Sequence, residues 1–263
     1  MAFKEILFSR EGSVATITLN NPERFNALGP IISSELLSVL GVCREDRGIR
    51  VVVLTGSGKA FCSGGDISYF EQFASSDPTE PVRRLLDPLH RIVLEIRQMQ
   101  KPVLAVINGA VSGAGMSLAL ACDLRLCSSQ ARFKQAYTSL GLAPDVGWSL
   151  WVGLLAGFSK AAEMVFLDPV YNAEQALAMG LVHRVVGPEK LAEATLELAV
   201  QLAAGATRSF AIAKADLNHA FLSLLEHQLE VERKGVLDAS LTSDYQEGLK
   251  AFRAKRKPDY KGC

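Results

Sequence analysis

Three stretches of the 263-residue chain hold groups whose types and spacing could do chemistry. In Lys59–Phe70 (KAFCSGGDISYF) and Asn108–Asp123 (NGAVSGAGMSLALACD), glycines stand where a strand pattern gives way to a helix pattern. The start of a helix exposes unsatisfied amides and the positive end of its dipole, which suits a carbonyl oxygen that becomes an oxyanion. Glycine lets such an oxygen approach the backbone closely, although the same glycines also fit plain tight connections. The third stretch is Gly141–Trp151 (GLAPDVGWSLW), where Asp145 follows Pro144 and precedes an apolar helical segment with two tryptophans. Asp145 there either caps the helix, which would keep its pKa low, or is enclosed by apolar neighbours, which would raise it.

The elements that must position these groups are legible from periodicity. Ser13–Leu19 alternates and Val51–Leu54 is a continuous aliphatic run, so both read as strands. Val103–Cys122 is apolar enough in bulk to suggest a membrane span, but Asn108, Ser112, Ser117 and its glycines split it into a strand, a turn and a helix. Leu124–Cys127 and Leu181–Val186 predict further strands. Helical spacing is found at Ile31–Val42, Pro81–Met99, Val146–Leu155, Lys160–Phe166 and Ala173–Met179. From Glu189 onward the pattern is almost wholly helical, over Leu191–Ala204, Ser209–Asn218, Phe221–Leu237 and Ser243–Ala254. Alternating strands and helices predict an α/β fold. The stripe at Leu224, Leu225, His227, Gln228 and Val231 could bury against another subunit or within the chain, and Ala74–Pro81 reads as a mobile loop.

Composition removes several function classes. Equal numbers of Lys+Arg and Asp+Glu, 28 of each, leave no net field to attract nucleic acid or an anionic membrane. Five cysteines form an odd set without a CxxC pair, and Met1–Arg10 lacks a cationic signal sequence, which together predict a reducing, cytoplasmic setting. The four histidines lie far apart and outside HExxH, so no metal is expected. GSGKAF is not GxxxxGK[ST], and no GxGxxG opens a βαβ unit near the start, which argues against a nucleotide cofactor.

KAFCSGGDI, KPVLAVINGAVSGAGMSLALACDLRLCS, the F(x)7GLAPDVG spacing from Phe133, the AxxMGLVHRVV segment and AFRAKRKPDYKG together resemble the crotonase superfamily, which comprises enoyl-CoA hydratases and isomerases. The resemblance spans nearly the whole chain and is strongest towards enoyl-CoA isomerases, including the ring-epoxide isomerase of phenylacetyl-CoA degradation. It implies a spiral of ββα units over residues 1–188, followed by a helical oligomerisation region over 189–263 that builds homotrimers or hexamers. It also implies an acyl-CoA substrate, with coenzyme A arriving as part of the thioester and no separate cofactor. The matching positions make the amides of Gly65 and Ala114 the oxyanion hole and Asp145 the acid/base.

Hydratases of the superfamily carry two glutamates, and this chain has Ser117 and Tyr137 in their places, so the resemblance favours a double-bond shift over hydration. A dehalogenase of 4-halobenzoyl-CoA offers an alternative, with an aspartate nucleophile at the place of Asp145 and a histidine at that of His90; a non-catalytic CoA-binding module is another. For the CoA moiety and acyl group the resemblance implies Arg24, Phe25, Ala27, Ser63, Asp66, Ile67, Tyr137, Phe252 and Lys255. Solvated surface charge is the competing reading for Arg24 and Lys255, and helix capping for Asp66. Met116, Trp148 and Trp151 either wall the acyl pocket or belong to the core.

Overall fold

A computed structural model describes residues 3–73 and 76–263. The chain runs β1 (Ile6–Glu11), β2 (Val14–Leu19), α1 (Pro30–Glu45), β3 (Val51–Gly56), β4 (Ala60–Cys62), α2 (Ile67–Glu71), α3 (Thr79–Gln98) and β5 (Val103–Ile107). It continues through β6 (Ala110–Ser112), α4 (Ala114–Ala121), β7 (Leu124–Ser128), β8 (Arg132–Lys134), α5 (Trp148–Ala156), α6 (Phe158–Leu167), β9 (Tyr171–Asn172), α7 (Ala173–Ala178) and β10 (Arg184–Val186). Four helices follow: α8 (Leu191–Ala204), α9 (Thr207–Phe221), α10 (Leu225–Ser240) and α11 (Ser243–Arg253).

Two sheets result, one ordered β1-β2-β3-β5-β7-β10 and the other β4-β6-β8-β9. Three successive pairs, β3/β4, β5/β6 and β7/β8, each give one strand to each sheet, which is the winding of a ββα spiral. The central strands are aliphatic throughout because both their faces are covered. Val52 and Leu54 of β3 join the main core, while Val51 and Val53 point the other way and pack with Leu104, Val106, Leu126 and the Ala194 and Ala199 of α8. The apolar stretch at 103–122 is divided into β5, β6 and α4, as its polar residues require.

The structure differs from the periodicity reading in three places. β1 pairs antiparallel with β2 although its residues are mostly exposed, so it carries no alternating signal. The short strands β4, β6, β8 and β9 span three residues or fewer, too little for a period to show. Of the strand expected at Leu181–Val186, only Arg184–Val186 forms. The loop expected at 74–81 falls partly outside the described residues at 74 and 75, and α3 already begins at Thr79.

Candidate active site

A cavity of about 540 Å³, within the range of small-molecule sites, opens between the two glycine turns, α3, α10 and the segment that precedes α5. Its mouth is lined by Arg24, Phe25, Ala27, Ser63, Asp66, Ile67 and Phe252, and its interior by Gly65, Ala114, Tyr137 and Asp145. The sequence therefore brings together every expected site residue except Lys255, which is exposed and stands off the cavity wall beyond the end of α11. Apolar side chains close the interior, with Phe70, Val82, Leu85, Leu86, Leu89, Leu142 and Val236 on its walls. Met116, Trp148 and Trp151 are core residues instead, since each is buried and none lines the cavity.

The glycine turns supply free amides. Gly65 forms a lone parallel bridge with Leu28, in which the Leu28 amide donates to the Gly64 carbonyl at 2.7 Å and the Asp66 amide donates to the Leu28 carbonyl at 3.2 Å. That register turns the amide of Gly65 itself away from Leu28. Ala114 is the first residue of α4, so its amide is one of the helix's orphan donors. Among the described residues neither amide donates to a protein acceptor. The two turns touch. A side chain at Gly64, whose φ is +97°, would come within 3.3 Å of the Ala114 amide nitrogen.

Asp145 is not a helix cap. The residue before α5 is Gly147, and no side chain caps that helix from its N-cap position. Instead the Tyr137 hydroxyl donates to Asp145 Oδ1 at 2.6 Å, and Ser117 Oγ donates to the Asp145 carbonyl at 3.0 Å. The Asp145 residue is buried, and loss of hydration pushes its carboxyl up to about 7; the Tyr137 bond opposes that rise and the charge of Glu232 adds to it. A carboxyl with a pKa near neutrality can both take and return a proton at physiological pH. Tyr137 itself is raised well above its ordinary value, chiefly by burial, so it acts as a hydrogen-bond donor and not as an anion.

The turn that presents Asp145 is strained. Val146 has φ +60° and Gly147 φ +80°, and a left-handed β-branched residue costs on the order of 1–3 kcal/mol. Gly147 tolerates no side chain, because a Cβ would lie 2.7 Å from the Trp151 indole nitrogen. Glu232 of α10 accepts from the Gly147 amide at 2.6 Å and from the Ser149 amide at 2.9 Å. Sequence reasoning missed Glu232. The signal was present, since positions 225, 229, 232 and 236 lie on one buried helical stripe in which a carboxylate replaces an apolar residue.

At the mouth, Asp66 does cap α2, accepting from the amides of Ser68 at 2.9 Å and Tyr69 at 3.4 Å, and it also pairs with Arg24 at 2.7 Å. The Arg24 side chain remains half exposed and free to meet a phosphate. His90 lies outside the site. It is buried against α10, its Nδ1 is 3.1 Å from an Arg233 guanidinium nitrogen, and burial with that neighbouring charge pushes its pKa down to about 4. The histidine that the dehalogenase reading places at His90 is therefore not in the site, because His90 does not line the cavity.

Among the described residues no group of His, Cys, Asp and Glu is arranged to hold a metal ion, and no helix is long and apolar enough to cross a membrane.

A ββα-wound pair of sheets enclosing a cavity with two free amides and the buried Asp145 carboxyl defines a crotonase-type α/β protein. The chain belongs to the enoyl-CoA hydratase/isomerase family, whose model matches residues 9–263, and is thus one of the crotonase-superfamily enzymes. It is 36% identical to the 1,2-epoxyphenylacetyl-CoA isomerase of Escherichia coli over 98% of each chain. It is 32% identical to the trans-2-decenoyl-[acyl-carrier-protein] isomerase of Streptococcus mutans over 100% of each. A crystal structure of an enoyl-CoA hydratase from Mycobacterium avium subsp. paratuberculosis superposes with a TM-score of 0.90 at 29% identity, covering 99% of this chain and 100% of that one.

Proposed function

We propose that this protein is an acyl-CoA isomerase that shifts a carbon–carbon double bond, from 3-enoyl-CoA to 2-enoyl-CoA or in the related ring-epoxide isomerisation. The observation that carries the reading is the buried carboxyl of Asp145, raised to about 7 and held in the same cavity as the free amides of Gly65 and Ala114. The thioester oxygen would accept from both amides, which makes C2 more acidic. Asp145 would take a proton from C2, the negative charge would rest on the thioester oxygen, and the same carboxyl would return the proton at C4. Hydration would be served by a second acid–base group, whereas the two glutamate positions of hydratases hold Ser117 and Tyr137, both engaged with Asp145. The two isomerases among the relatives support the same direction.

Coenzyme A would enter as part of the substrate, with its polar portion at the Arg24–Asp66 mouth and its acyl group among the leucines of α3. A homotrimer or hexamer fits the large apolar side chains left exposed, among them Phe158, Phe166 and Leu167 on α6 and Phe221 on α9. A cytoplasmic setting fits the five free thiols. Incubation with 3-enoyl-, 2-enoyl- and 4-halobenzoyl-CoA tests the function directly. A shifted double bond from the first supports it. Hydrated product from the second, halide from the third, or CoA affinity without turnover of any of these or of the ring-epoxide thioester would overturn it in favour of the corresponding alternative.

A further inference from the structure

We propose that Glu232 is a positioning residue for Asp145: its carboxylate pins the amides of Gly147 and Ser149 and so holds the left-handed turn that turns Asp145 into the cavity. The inference rests on the reading of Asp145 as the acid/base, and it adds a residue some ninety positions away in sequence to that machinery.

The geometry is specific. The two oxygens of Glu232 are divided between two amides, Oε2 with Gly147 at 2.6 Å and Oε1 with Ser149 at 2.9 Å. These amides lie immediately after Val146, the residue whose φ of +60° a β-branched side chain resists. Without an external acceptor at Gly147 and Ser149 the segment could relax out of the left-handed region, and the Asp145 carboxyl would swing with it. Buried carboxylates are costly unless compensated, yet among the described residues Glu232 has no cationic partner within salt-bridge distance. Its compensation is the positive end of α5. Arg233, the adjacent cation on α10, turns away to Asp87 and Glu230.

The charge of Glu232 has a second effect. The groups that face Asp145 are the Tyr137 hydroxyl, Ser117 of α4 through the backbone carbonyl, and Glu232 from α10; those that face Glu232 are the Gly147 and Ser149 groups of the α5 start and Gln228 of its own helix. Of these only Glu232 presents Asp145 with a like charge, so its presence favours the protonated form of Asp145. Removing that charge while keeping the shape moves the ionisation of Asp145 towards acid. Glu232→Gln does this and also places an amide NH2 against one of the two backbone N–H donors. Glu232→Asp keeps the charge but is one methylene too short to reach both amides.

The test combines steady-state kinetics with infrared pH titration of the Asp145 carboxyl, assigned by subtraction of the Asp145→Asn spectrum. Glu232→Gln is expected to move the Asp145 midpoint towards acid and to lower kcat on the order of 10–100-fold, with KM within about two-fold. Glu232→Asp is expected to lower kcat similarly while leaving the midpoint near its original value; if the Gln variant does not fold, this split decides. Loss of thermal stability with midpoint, kcat and KM all unchanged makes Glu232 a helix cap only and overturns the proposal, as does an unchanged kcat in both variants. If the wild type turns over no enoyl thioester while Glu232→Gln still moves the Asp145 midpoint, the isomerase reading fails and the coupling of Glu232 to Asp145 stands.

Discussion

The cavity has two polar regions that are built in opposite ways. The amide region consists of main-chain groups from two strand-to-helix turns, Ser63–Asp66 and Ser112–Ala114, which touch each other and need only local geometry and glycine. The carboxyl region consists of one side chain on a strained turn, held by Tyr137, Ser117 and Glu232, which come from separate parts of the chain. A backbone donor is fixed once its turn is formed. A carboxyl owes both its direction and its proton affinity to neighbours, so the carboxyl region should be the more sensitive to conservative changes.

The largest expected effect comes from the carboxyl region. Asp145→Asn should lower kcat on the order of 10²–10⁴-fold on 3-enoyl-CoA while the protein remains folded. The same change should stabilise the protein in alkali. The folded-state pKa of Asp145, about 7, lies above its unfolded value, so its contribution to stability is full below about pH 4 and is lost as pH rises through 7. Urea unfolding at pH 5 and pH 8 should therefore show the variant gaining on wild type with pH, by roughly 2–4 kcal/mol at the upper end. A gap independent of pH would contradict the buried, neutral-range carboxyl.

In the amide region Ala114→Pro deletes one donor with little else. Proline is favoured at the first position of a helix, and Gly113 ahead of it, at φ +51° and ψ −134°, lies outside the α region that proline disfavours in its predecessor. Single-turnover rates should fall about 10²–10³-fold with unchanged binding of a saturated acyl-CoA. If the rate is unaffected, Ala114 is not an oxyanion donor and the two regions do not cooperate.

Tyr137→Phe sharpens the contrast further. The lost hydrogen bond had favoured ionised Asp145, so its pKa rises and the acid limb of the kcat/KM profile moves towards alkali. The rate at pH 7 should drop about 3–10-fold and recover at higher pH. This is opposite in sign to Glu232→Gln, so the two variants bracket the wild-type profile. The smallest effect is expected at the mouth, where Arg24 is half exposed and its pairing with Asp66 is largely screened. Arg24→Ala should raise KM for an acyl-CoA a few-fold with kcat unchanged, and lose that difference against an acyl-pantetheine lacking the nucleotide.

The legible parts of the molecule are those whose cause is local. Val51–Gly56 and Val103–Ile107 declared themselves as buried strands through continuous aliphatic runs, and α8 through its 3.6-residue period. Gly64 marked a turn because the Ser112 carbonyl and Ala114 amide crowd out a side chain, Gly65 because a Cβ would meet the Phe70 ring at 2.8 Å, and Gly113 because its φ of +51° suits glycine. Family motifs extended this to Asp145 and to most of the mouth, but Lys255 lies off the wall because the chain after Phe252 turns outward. His90 had the right type and the wrong environment, since α3 presents it to Arg233 of α10 and not to the cavity.

The sequence by itself determined an α/β chain with two glycine turns ahead of helices and a carboxyl next to a third, because periodicity and glycine placement act over a few residues. Only the tertiary structure decided that Asp145 is a buried, neutral-range acid rather than a helix cap. That outcome depends on Tyr137, Ser117 and Glu232 converging from distant positions, and on the removal of water around them, neither of which any local pattern encodes.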